Sequence, residues 1–120
     1  MNSKTKPLLY IHEDGSRNVL TELYFSETDW KCKTLTSVKE ALDSGIFSWK
    51  AVLIDQPLSS LFSDKTLARF LNALGDGVPV IVLFDTTDRS RFEKLQGLGI
   101  KHFFPSSKTM DEKLQFLNSV

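Results

Sequence analysis

Apolar residues in this chain come in short, nearly unbroken runs, separated by segments with helical spacing. Leu8 to Ile11 is the first run, and it closes in His12-Glu13-Asp14-Gly15, which reads as a buried strand ending in an acidic turn. Val19, Leu20, Leu23 and Tyr24 then share one face of a predicted helix, with Ser16 as its cap. Trp30, Cys32 and Thr34 alternate with Lys31 and Lys33, the pattern of a strand near a sheet edge. Ser37 to Glu40 has the form of a capping box, followed by Ala41 and Leu42, with Gly45 as a stop. Ala51 to Ile54 is a second buried strand, ending at Asp55. Leu67, Phe70, Leu71 and Leu74 mark a helix face that Gly75 and Gly77 terminate. Pro79 to Phe84 is the strongest strand signal in the chain. Ser90 to Glu93 again has capping-box form, with Phe92, Leu95 and Leu98 inward. His102 to Phe104 is a last short strand, and Thr109 to Glu112 opens a helix with Met110, Leu114 and Leu117 on one face.

Strand and helix thus alternate about five times, and helices between strands imply parallel pairing through right-handed crossovers. The expected fold is α/β: a three-layer, doubly wound, parallel five-stranded sheet, flavodoxin-like, with strand order 2-1-3-4-5. Residues 1–6 read as a tail and 7–120 as a single domain. The chain has 120 residues, enough for one core. Lys plus Arg and Asp plus Glu are both 15, so the net charge is zero and no basic excess points to nucleic acid. No apolar run approaches the roughly 18 residues of a membrane helix, and Met1 to Lys6 lacks a signal-peptide core, so no membrane partner is expected. With one cysteine, Cys32, and two histidines there is neither a disulfide nor a zinc cluster, and a reducing, cytoplasmic setting is expected. Nothing basic beside Cys32 except Lys31 and Lys33 argues for a reactive thiolate, and His102 reads as structural. Gly75-Asp76-Gly77 precedes a strand, the wrong context for a dinucleotide-binding loop.

In such a fold, ligands bind at the carboxyl ends of the strands near the reversal of strand order. That rim collects His12, Glu13 and Asp14 from the first strand, Asp55 from the third, Phe84 to Thr87 from the fourth, and Phe104 to Ser106 from the fifth. Converging carboxylates can hold Mg²⁺ and accept a phosphoryl group, or they can be solvated turns.

The βα order, the acidic end of the first strand, Leu53-Ile54-Asp55 and Pro79-Val80-Ile81-Val82-Leu83 together resemble a CheY-like response-regulator receiver domain. The resemblance spans about Pro7 to Val120. It implies Asp55 as phosphoacceptor and an acidic pair binding Mg²⁺, which falls on His12-Glu13 or, with a one-residue slip, on Glu13-Asp14. It also implies a hydroxyl at the switch position and a lysine before a proline after the fifth strand. Here Phe84 takes the switch position, with Thr86 and Thr87 two or three residues late. Ser106 or Phe104 takes the lysine position, depending on whether Gly99 or Pro105 sets the count. Phenylalanine offers no hydroxyl to a phosphoryl oxygen, and histidine is a poor Mg²⁺ ligand. The pattern is that of an atypical receiver, or pseudo-receiver: not an enzyme, with only weak Mg²⁺ binding, signalling by protein contacts. Its alternatives are a receiver phosphorylated on Asp55 by a histidine kinase, as in two-component and transcription regulators, and a flavodoxin-like small-ligand-binding domain or enzyme. The resemblance also implies a homodimer face formed by the fourth helix, fifth strand and fifth helix, carrying Arg91, Lys94, Phe103, Phe104, Asp111 and Glu112.

Overall fold

The computed structural model describes residues 6–55, 64–84 and 89–120. Its elements are β1 (Lys6–Ile11), α1 (Gly15–Phe25), β2 (Trp30–Leu35), α2 (Val38–Asp43), β3 (Ala51–Asp55), α3 (Asp64–Leu74), β4 (Val80–Leu83), α4 (Arg89–Gly97), β5 (His102–Phe104) and α5 (Met110–Ser119). The five strands form one sheet in the order β2-β1-β3-β4-β5, every pair parallel, as the alternation predicts. β1 starts at Lys6, inside the expected tail: Lys6 pairs with Trp30 and its ammonium lies 5.3 Å from the indole centroid.

Side chains alternate across the sheet and build two cores. Leu9, Ile11, Val52, Ile54, Val80 and Val82 face one layer with Val38 and Ala41 of α2, Leu67, Phe70 and Leu74 of α3, and Leu95 of α4. Leu8, Tyr10, Ala51, Leu53, Ile81 and Leu83 face the other, with Phe25 of α1 and Leu117 of α5. Each central strand is buried on both sides, which is why it reads as an unbroken apolar run. No helix among the described residues is long and apolar enough to cross a membrane.

Three local expectations change. The cap of α1 is Asp14, not Ser16: its Oδ1 accepts from the Ser16 backbone N–H at 3.0 Å and from Ser16 Oγ at 2.7 Å. These bonds from Ser16 hold the Asp14 carboxyl below its ordinary range. Ser90 lies inside α4, which begins at Arg89, so it caps nothing. The third change is the largest. α1 buries Asn18, Thr21 and Phe25 and turns Val19, Leu20 and Leu23 outward at 69%, 67% and 65% exposure. Two stripes of this helix have the same spacing, and polar satisfaction decides between them. Asn18 Nδ2 donates to the His12 carbonyl at 3.0 Å and adds a longer bond, 3.4 Å, to Leu35 O, which already accepts the His12 N–H at 3.1 Å; an aliphatic side chain could supply neither bond. Phe25 supplies the apolar share, with its ring 6.4 Å from that of Tyr10.

Helices elsewhere follow the pattern. Ser37 Oγ accepts from the Glu40 N–H at 3.1 Å, while Glu40 turns back to Thr36 rather than to Ser37. Thr109 and Glu112 form the complete reciprocal box at the head of α5.

Candidate functional site at the carboxyl ends of the strands

β3 places Asp55 as its last residue, with all five of its residues buried. Because Ala51, Leu53 and Asp55 alternate with Val52 and Ile54, the Asp55 carboxylate falls on the α1/α5 side of the sheet, the side of Tyr10. There the Tyr10 phenol donates to Asp55 Oδ2 at 2.6 Å. Asp55 is 1% exposed and its second oxygen, Oδ1, is buried without a hydrogen-bond partner. A carboxylate stripped of water is costly, and a short bond from a phenol offsets part of that cost. Burial first, then the adjacent Asp55 charge and their hydrogen bond, push the Tyr10 hydroxyl far above its ordinary range.

The acidic turn does not assemble into a cation site around Asp55. His12 is buried, and its Nδ1 accepts the Asp14 backbone N–H at 3.0 Å, which commits the ring to its own turn. Asp14 is committed to its cap and Glu13 is exposed. Among the described residues no group of three His, Cys, Asp or Glu side chains could hold a metal. The Mg²⁺ implied by the resemblance therefore does not fit the donor set these residues present.

The switch position is occupied by packing. Phe84 is 9% exposed, stacks on Phe92 of α4 with centroids 6.2 Å apart, and lies 5.7 Å from Phe103. Phe92 and Phe103 approach to 4.5 Å, so the three rings form one cluster between β4, β5 and α4. Thr86 and Thr87 lie outside the described residues. Of the two residues offered for the lysine position, Phe104 points to the opposite layer and stacks on Phe116 of α5 at 4.7 Å, while Ser106 is buried just beyond β5.

The residues expected at a dimer face are largely engaged within the chain. Arg91 bonds Asp64 at the head of α3, and Lys94 lies 3.8 Å from the same carboxylate. The guanidinium bond holds the Asp64 carboxyl low. Asp111 accepts the Tyr24 hydroxyl at 2.6 Å, and Glu112 closes the Thr109 box. Phe103 and Phe104 are half-buried in the two cores.

Three residues emerge that sequence reasoning did not single out. Tyr10 reads as one more apolar letter in its run, and only the sheet parity shared with Asp55 could have flagged it. Asn18 carries no distinctive signal. Lys113 sits on the inward face of α5, 3% exposed, one turn before Leu117. Since α5 runs back along the sheet, this puts a buried cation in the same layer and toward the same end as Asp55. Its spacing of four from Leu117 was the available clue.

A concavity lies at the opposite, amino-terminal end of the sheet, bordered by Lys6, Trp49, Asp76, Val78 and Lys101. None of the described residues at the carboxyl-end rim, Asp55 among them, lines it.

No protein-family model matches the chain, and no curated protein matches it. Solved structures do. The receiver domain of a sensor histidine kinase from Pseudomonas aeruginosa, solved with magnesium in its active-site cleft, superposes with a TM-score of 0.75 at 17% identity over 95% of each chain. The chemotaxis response regulator CheY4 of Vibrio cholerae gives 0.77 at 12% identity, over 96% of this chain and 98% of its own. The activated receiver domain of RstA from Klebsiella pneumoniae gives 0.76 at 16%, over 95% and 97%. The chain has the fold of response-regulator receiver domains along nearly its whole length.

Proposed function

We propose that this chain is an atypical receiver module, one that signals through protein–protein contacts while Asp55 serves as a structural partner of Tyr10 rather than as a phosphate acceptor. The observation that carries the reading is the 2.6 Å bond from Tyr10 to a carboxylate that is 1% exposed. An attacking carboxylate oxygen needs access to the phosphodonor and a cation to offset the charge that develops. Oδ2 is engaged by a phenol, Oδ1 is buried, and the neighbouring acidic turn is folded onto itself. With phenylalanine at the switch position, no hydroxyl there can couple a phosphoryl group to a change of shape. The role is one of signalling, not catalysis.

The test is incubation with acetyl phosphate and Mg²⁺ followed by intact-mass measurement. No phosphoryl adduct is expected on the unmodified chain. An adduct that disappears in Asp55→Asn would overturn the reading.

A second reading, in which a histidine kinase phosphorylates Asp55, is favoured by the unpartnered Oδ1 and by the buried Lys113 toward the same end of the layer. Under that reading Tyr10 is a gate, and Tyr10→Phe increases the adduct. Under the first reading Tyr10→Phe remains unmodified.

A further inference from the structure

The outward face of α1 is the anomaly of this surface. Val19, Leu20 and Leu23 are the three most exposed large apolar side chains among the described residues, and they are contiguous on one helix. Isolated exposed aliphatics are ordinary, whereas a contiguous set marks a contact. Ser16, Leu20, Leu23 and Glu27 succeed one another at spacings of four, three and four residues, the seam spacing of paired helices. α5 extends the patch: Leu20, Leu23 and Tyr24 line a shallow apolar groove with Leu114, closed at one end by Glu27, Thr28 and Asp111. The Tyr24–Asp111 bond ties the two helices together there.

The charges at the two ends of the patch are opposite. Arg17 is exposed at the amino end of α1, while Glu27 and Asp111 are exposed at the other. Arg17 and Glu27 make no ion pair with any described residue. A helix with this layout complements itself when reversed. A two-fold axis passing between Leu20 and Leu23 sets Leu20 against Leu23 of the second copy, and brings Arg17 to the acidic end of the opposing helix. The chain's zero net charge places no repulsion in the way.

We propose that two copies of this chain associate through antiparallel pairing of α1 with α1, an interface centred on α1 that takes in only the edge of α5. The inference stands whatever happens at Asp55. Three aliphatic side chains form the apolar centre of the patch, so the dimer is expected to be weak, with a dissociation constant on the order of 100 µM.

Sedimentation equilibrium across a concentration series reads the association directly. The unmodified chain is expected to dimerise reversibly. Leu23→Asp, an exposed position whose change leaves the fold intact, is expected to weaken the dimer at least about tenfold. Arg17→Glu and Glu27→Arg each weaken it by about threefold or more, and the two changes combined in one chain restore it, because the pairs re-form with their signs exchanged. A chain that stays monomeric to about 1 mM overturns the proposal and assigns the face to a different partner. A dimer indifferent to Leu23→Asp, or a double reversal that does not recover, overturns it as well.

Discussion

The two layers flanking the sheet are built on different principles. Among the described residues, the buried positions of α2, α3 and α4 are all aliphatic or aromatic, packing from Phe70 and Leu95 onto Leu9 and Val52 of the sheet. The layer of α1 and α5 holds Tyr10, Asp55, Asn18, Thr21 and Lys113 in its buried part. Dispersion and water exclusion are non-directional, so the first layer needs only volume and pattern. The second must match donors to acceptors, and each mismatch there costs more than a poor contact in the other. A receiver fold reserves its chemistry for one end of the sheet. At that end of this chain the Tyr10 phenol donates to the buried Asp55 carboxylate.

The sharpest contrast comes from truncation in the apolar layer. Phe70, fully buried and 6.3 Å from Phe47, should lose about 3–5 kcal/mol on change to alanine, read from urea unfolding with an unchanged denaturant slope. Phe84→Ala, at the rim of the same layer, should fall at the lower end of that range. A loss below roughly 1 kcal/mol at either position would mean that this layer is not the rigid one.

The polar layer should respond through coupling rather than size. In a double-mutant cycle, Tyr10→Phe and Asp55→Asn should couple by about 1–3 kcal/mol, since each removes one side of a buried charge-assisted bond. Additive losses would show that the two side chains do not share their energy, and would remove the difference between the layers.

The smallest effect is spectroscopic. The chain has two tyrosines, and both are raised: Tyr10 well above its ordinary range, and Tyr24 to about 12 by desolvation and by its bond to Asp111. Near-ultraviolet titration of the folded chain should show no phenolate at pH 10. The unfolded chain releases these protons near 10 while the folded chain keeps them, so stability falls as pH rises from about 10 toward 12. Cys32, raised to about 12 by burial first and by Glu22 second, adds to the same alkaline loss from about 9 upward. Phenolate absorbance at its ordinary pH would place Tyr10 in water.

How much of this was legible beforehand follows from the physics of each layer. Period-two and period-3.6 patterns report burial, so the alternation of elements, the inward face of α3 and the opposite directions of Phe103 and Phe104 could be read from letters alone, while the strand order came from the fold that such alternation implies. α1 could not. Its aliphatic stripe has the right spacing and the wrong direction: the inward stripe instead carries Asn18, whose amide bonds the His12 carbonyl, and Phe25, which packs on Tyr10, and neither partner is marked by the period. The same holds at the site. Asp55 was legible as a strand end, whereas its partner needed knowledge of the β1–β3 register, which sets Tyr10 beside Leu53, two residues short of Asp55.

β1 is the second strand from one side of the sheet and the first to be synthesised, and this sets the order in which the molecule can be completed. Tyr10 precedes Asp55 by 45 residues. On a ribosome adding roughly 5–20 residues per second, β1 waits some seconds with only β2 beside it. Until β3 is made, Leu8 to Ile11 lacks the neighbour on its second edge. Its protection comes from Ala51 to Ile54, whose backbone completes the pairing. The Tyr10–Asp55 bond then closes after the register is set, a late polar latch that rewards one alignment of two otherwise interchangeable apolar strands.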